Sequence, residues 1–159
     1  MQRDAEVMAD LGGSFDADAS DEKFDRYRDA WIKDGISRWA VVDIAENFLG
    51  YAGVMKRADP EHPLGPHYEI GWRFCRNAWG KGYATRSARL ALEHAWTVLT
   101  IDEMFSYTAS NNVRSRQVMD RLELKRAAER DFTAHYPTGD WNGLVWIAER
   151  PAAGLNGFQ

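Results

Sequence analysis

The chain predicts a mixed α/β (α+β) single domain: a mostly antiparallel sheet flanked by helices. Three observations lead there. Strand-like runs first follow one another as a meander, at residues 37–44, 48–55 and 67–74, and later alternate with helical patterns. A loop with two glycines sits where the third run gives way to a long helical pattern. The length of 159 residues, 45% apolar and 28% charged, is enough to bury one real core. Residues 1–150 read as that domain and 151–159, "PAAGLNGFQ", as a mobile tail.

Taken in order, "DAEVMADL" predicts a short helix stopped by Gly12 and Gly13. In "SDEKFDRYRDAWIKDG" the residues Phe24, Tyr27, Trp31 and Ile32 recur at helical spacing, with Ser20 as N-cap and Gly35 as the stop. "SRWAVVDI" and "FLGYAGVM" read as strands joined by a turn at Ala45–Asn47. "KRADPEHPLGPH", with three prolines, reads as a loop. "HYEIGWRF" is the third strand. A helix then runs to about Leu99, with Ala84, Ala88, Leu92, Ala95 and Leu99 forming a small apolar face for close packing on a sheet. "EMFSYTA" is a further strand, and "NVRSRQVMDRL" a short helix with Val118, Met119 and Leu122 inward. "LKRAAER" and "GLVWIAE" close the pattern as final strands joined by a polar loop.

The formal net charge of −4 leaves no basic stripe for nucleic acid as the main partner, while a local basic pocket stays open. No apolar run is long enough to span a membrane and the N-terminus lacks a signal-peptide pattern, so the expected location is cytoplasmic. The single cysteine, Cys75, forms no internal disulfide, and His62, His67, His94 and His135 lack metal-ligand spacing; no metal is expected.

The loop "WGKGYAT" opens a helix, whose N-terminal N–H groups and dipole attract anions. Gly80 and Gly82 permit positive φ and close backbone approach to a phosphate, and Lys81 adds a charge or is solvated. A Walker loop fails because Gly82 follows Lys81 where Ser or Thr is required. The dinucleotide fingerprint fails because Thr85 stands at its third glycine. A pyrophosphate loop for an acyl-coenzyme A fits.

With "EIGWRF" before that loop and Asn112-x-x-Ser115-x-x-"VMDRL" after it, the chain resembles the GNAT N-acetyltransferase superfamily, in its ribosomal-protein acetyltransferase-like (Rim-like) branch, across residues 5–148. The resemblance implies acetyl-CoA as acyl donor. The backbone of Trp79, Gly80, Lys81, Gly82, Tyr83 and Ala84 would hold its pyrophosphate, and Trp72, Arg73 and Phe74 on the central strand would face the thioester. It implies Ser115 as the group that protonates the leaving thiolate, since Met119 stands where many members carry a tyrosine, and Asn112 as a holder of the pantetheine arm or simply the helix N-cap. Glu69, sharing a strand face with Gly71 and Arg73, is the candidate base, or else a structural ion pair.

The implied reaction is direct transfer of acetyl to a primary amine, on a protein N-terminus or a small molecule; the alternative is a non-catalytic acyl-CoA-binding sensor or interaction domain. Four features depart from the family pattern. Asn77 stands at the loop's first position, Arg86 replaces an acidic residue after the loop, and Glu123 replaces a glycine after the late helix. The usual first edge strand is also missing, and the edge at 37–44 that this exposes would suit a homodimer.

Overall fold

The structure, a computed structural model, describes residues 1, 4–8, 17–136 and 139–152. Helix α1 (Ala5–Met8) and helix α2 (Ala17–Asp34) precede strands β1 (Arg38–Val42), β2 (Phe48–Arg57) and β3 (His67–Phe74). A 3-10 turn at Arg76–Ala78 leads to α3 (Tyr83–Val98), followed by β4 (Glu103–Ala109) and α4 (Val113–Arg121). The chain ends in β5 (Lys125–Arg126), β6 (Phe132–Tyr136) and β7 (Gly139–Glu149). The sheet order is β1-β2-β3-β4-β7-β5, with β6 on β7, and every neighbouring pair is antiparallel except β3 with β4.

The core lies between the sheet and α3. Alanines at 88, 91 and 95, with Leu92, let that helix settle closely onto Val54, Ile70 and Met104. Ile70 and Met104 are wholly buried, each contributing about 2 kcal/mol from the transfer of apolar surface out of water. Ala84 and Leu99 pack at the ends of this stripe, as the helical spacing predicts, and Ala91 belongs to it as well. Helix α4 adds Val118 and Met119 to the same core. Met119 is thus a packing residue, 1% exposed.

Several boundaries differ from the sequence reading. Ser20 lies inside α2, which starts at Ala17, while Gly35 at φ 67° does end it. Residues 9–16, including the glycine pair expected to stop the first helix, lie outside the described residues, as does most of the expected tail. Strand β2 runs two residues further, because Lys56 and Arg57 pair with Tyr68 and His67 at the start of β3. The segment read as a polar loop before the last strand is instead strand β6, paired with β7 from Phe132↔Gly143 to Tyr136↔Gly139. Its short, polar-flanked run lacks an apolar alternation long enough to stand out, and pairing with β7 decides it. The expected strand at "LKRAAER" shrinks to Lys125–Arg126, followed by a 3-10 turn.

Two backbone features position the site. Strand β3 is paired with β2 along its whole length, yet shares a single rung with β4, Glu69↔Phe105. From that rung to Phe74 the two parallel strands part, and a wedge opens between their facing edges. At the far side of the sheet, β1 is the outermost strand among the described residues, with Val42 half exposed.

Candidate acyl-CoA site

The glycine loop follows the 3-10 turn after β3 and runs directly into α3. Gly80 and Gly82 both adopt left-handed backbone, φ 72° and 77°, and Gly82 is the N-cap of α3. A side chain at Gly80 would point into open space, whereas one at Gly82 would meet the Arg86 guanidinium at 2.9 Å. With no capping side chain, the first amides of α3 stay available, and the first helical bond recorded there is Arg86 N–H to Gly82 C=O, 3.1 Å.

The Trp79 amide, by contrast, is used within the turn, donating to Arg76 C=O at 3.1 Å. Trp79 contributes its ring instead: the indole N–H donates to Phe74 C=O at 2.9 Å, and the Arg114 guanidinium stacks 3.8 Å from a ring centroid.

A cavity of about 590 Å³ joins the loop to the Trp72–Phe74 end of β3, on the wedge side, and to the start of α4. Of the residues singled out in the sequence, Trp72, Arg73, Phe74, Trp79, Gly80, Gly82, Tyr83, Ala84, Asn112 and Ser115 all line it. Lys81 is exposed and outside this lining. Arginines 86, 114 and 121 line it too, and Arg86 also stacks on Tyr83 at 5.2 Å. Of these the sequence singled out Arg86 alone, as a charge near a cofactor phosphate. Arg121 lies within the "VMDRL" motif but was given no role, and Arg114 carries no motif that would have marked it.

Asn112 caps α4, its side-chain oxygen accepting the Ser115 amide at 3.1 Å, so the cap also fixes the turn that carries the Ser115 hydroxyl. Capping and cavity lining coexist in Asn112. Cys75 is half-buried, and its thiol faces Phe48 C=O at 3.9 Å.

Glu69 lies outside the cavity lining, buried on the opposite face of β3 from Ile70, Trp72 and Phe74. Arg38 donates to one carboxylate oxygen at 2.9 Å, while Arg57 and the Tyr107 hydroxyl (3.2 Å) donate to the other. Burial opposes ionisation, but Arg57 and Arg38, with help from Tyr107, outweigh it and bring the carboxyl down to about 2. Tyr107 is pushed up by its own burial and by Glu69. The three partners stand 31, 12 and 38 residues away in sequence, so only the strand register brings them together.

His67 is bonded to Gly65 C=O at 2.7 Å within an aromatic cluster that includes His62, Phe105 and Tyr107. His135 pairs with Asp140 on the exposed β6–β7 hairpin. Among the described residues no three His, Cys, Asp or Glu side chains gather as a metal site, and no helix is long and apolar enough to cross a membrane.

Known proteins share this fold. A family model for the acetyltransferase (GNAT) domain matches residues 1–125. An acetyltransferase (GNAT family) from Bacillus anthracis is 19% identical, with a TM-score of 0.73 over 94% of this chain and 84% of that one. Spermidine N-acetyltransferase from Vibrio cholerae, solved with CoA and spermine, is 14% identical, with a TM-score of 0.69 over 94% and 85%. Ribosomal-protein-S5-alanine acetyltransferase from Vibrio fischeri is 11% identical, with a TM-score of 0.66 over 85% and 73%. At these identities the likeness is one of fold. The alignment with a curated relative, the uncharacterized protein YkkB of Bacillus subtilis, is 28% identical over 73% of this chain but spans only 62% of that protein. With the family model covering most of its length and the glycine loop, wedge and sheet order in place, the chain belongs to the GNAT acetyltransferase domain family.

Proposed function

We propose that this domain is an acetyl-CoA-dependent N-acetyltransferase that passes the acetyl group directly to a primary amine. The observation that carries the reading is the continuity of one cavity from the Gly80–Gly82 loop to the Trp72–Phe74 end of β3, the stretch that has parted from β4, and on to Asn112 and Ser115 of α4. The loop amides, the α3 dipole and the cavity arginines suit a pyrophosphate and a further phosphate, and the wedge offers unpaired strand backbone to a thioester.

In this reading the neutral amine attacks the thioester carbonyl carbon, and charge develops on the carbonyl oxygen. Backbone N–H groups between Trp72 and Phe74 face that oxygen, so stabilising it requires no side chain. The carbon–sulfur bond then breaks. The thiolate takes a proton from the Ser115 hydroxyl, which is refilled from solvent, and the amine's surplus proton leaves through water in the wedge. Of the two roles open to Glu69, the ion-pair geometry favours the structural one. A carboxylate held near 2 by two guanidinium groups has little basicity left for an ammonium, and we assign it the placement of Arg38 and Arg57.

The same observation lends weight to the second reading, a non-catalytic acyl-CoA sensor, because Glu69, the candidate base, is committed to its ion pairs. Release of free CoA thiol from acetyl-CoA, followed over a panel of amines, separates the two. Amine-dependent release supports transfer, with kcat falling about 100-fold in Ser115→Ala while acetyl-CoA affinity holds. Tight acetyl-CoA binding without release on any amine supports the sensor.

A further inference from the structure

Among the described residues, the guanidinium groups on the α2 face of the sheet outnumber the carboxylates that pair with them. Register puts Arg73, Gly71 and Glu69 of β3 on the same face as Tyr51, Gly53 and Met55 of β2 and Arg38 of β1. The facing glycines leave a floor on which the Arg38 side chain lies: a side chain on Gly71 would meet its guanidinium at 2.7 Å. Arg38 and Arg57 share one carboxylate, Glu69. Arg73 has a much weaker hold. Its recorded partners among the described residues are the Met8 sulfur at 3.1 Å and the Tyr51 ring at 5.9 Å, a thioether and a π face.

Lys23 of α2 reaches over the same Tyr51 ring, also at 5.9 Å. Two further N–H groups, Arg38 Nε and Arg73 Nε, are buried with no hydrogen-bond partner among the described residues. The Arg38 side chain is only 4% exposed. Buried guanidinium N–H groups left unpaired are costly unless a ligand satisfies them. Burial lowers the Lys23 pKa first, and the neighbouring Arg73, Arg38 and Arg57 lower it further against the pull of Glu69, to about 7.

Resting on the transferase reading, we propose that the acceptor amine carries an anionic group, a carboxylate or a phosphate, which Arg73 and Lys23 receive on the α2 face while its amine enters the wedge. Arg73 is the link, since it belongs to the cluster and also lines the wedge cavity. A guanidinium without an anionic partner matches carboxylate and phosphate alike. A polycation meets repulsion there.

The test has two arms. In the first, amines with and without an anion are compared by kcat/KM with acetyl-CoA: L-amino acids against their α-amides, which differ only in that group, and phosphoethanolamine against spermidine. The expected result is a preference of tenfold or more for the carboxylates or for the phosphate, which also tells the two apart, and collapse of that preference in Lys23→Gln and Arg73→Gln. Amides or spermidine used as well or better overturns the proposal. The second arm needs no turnover. The Lys23 amine is titrated by NMR with and without 3-phenylpropionate or inorganic phosphate. A rise in its pKa of a unit or more, absent in Arg73→Gln, supports an anion seat even where no transfer is seen, and would then count against the transferase reading alone. An unmoved pKa with both probes overturns the seat.

Discussion

The two faces of β3 are built on opposite terms. Toward α3, Ile70, Trp72 and Phe74 meet small alanines and a loop whose glycines bring backbone amides to the surface. Toward α2, Glu69, Gly71 and Arg73 meet charge, and the Phe24 ring, in contact with Tyr51 beside them, is left 38% exposed. The first face is held by transfer of apolar surface from water and is indifferent to pH. The second is held by a buried ion network whose members are stable only together. On the proposed reading the first wall, made largely from backbone, takes the acyl donor, while the second, made from side chains that depend on one another, meets the acceptor.

The comparison breaks most visibly at Glu69. Glu69→Gln leaves Arg38 and Arg57 facing a neutral amide, and we expect a loss of about 3 kcal/mol, seen as a melting temperature lower by about 10 °C. A variant that melts like the parent while kcat collapses would restore the general-base role. The same network gives the α2 face its acid sensitivity. The folded pKa of Glu69, about 2, lies below its ordinary value of 4.5, so the stability it contributes is complete above about pH 4.5 and drains away as pH falls toward 2. Acid unfolding followed by tryptophan fluorescence should lose this component in Glu69→Gln.

The smallest effect lies on the apolar side, at the end of α4. Glu123 sits at φ 59° and closes the helix with its amide on Asp120 C=O, 3.0 Å. Glu123→Gly relieves that left-handed strain and should stabilise by about 0.5–1 kcal/mol in urea unfolding. No gain would mean that contacts of the glutamate side chain offset the strain.

The same contrast sets how much could be read from the sequence. The α3 stripe, the Gly80–Gly82 loop and the Asn112–Ser115 pair are legible because each depends on neighbours within a few residues. The partners of Glu69 were not, since three strands must register before Arg38, Arg57 and Tyr107 converge on it. Strand alternation placed Glu69, Gly71 and Arg73 together, yet said nothing of what would lie over them. Arg114 escaped notice for a similar reason: its partner Trp79 precedes it by a whole helix and strand. Strand β6 was missed because the alternation of Phe132, Ala134 and Tyr136 with Thr133 and His135 is only five residues long between polar flanks, and pairing with β7 sustains it.

The central claim, that the glycine loop and the wedge form one acyl-CoA site, is tested most directly by calorimetric titration with acetyl-CoA of the parent chain and of Gly82→Trp. The account predicts micromolar binding by the parent and at least about 100-fold weaker binding by the variant, whose new side chain would strain a left-handed position and crowd Arg86. Equal binding by two well-folded samples, or none by the parent, would contradict it.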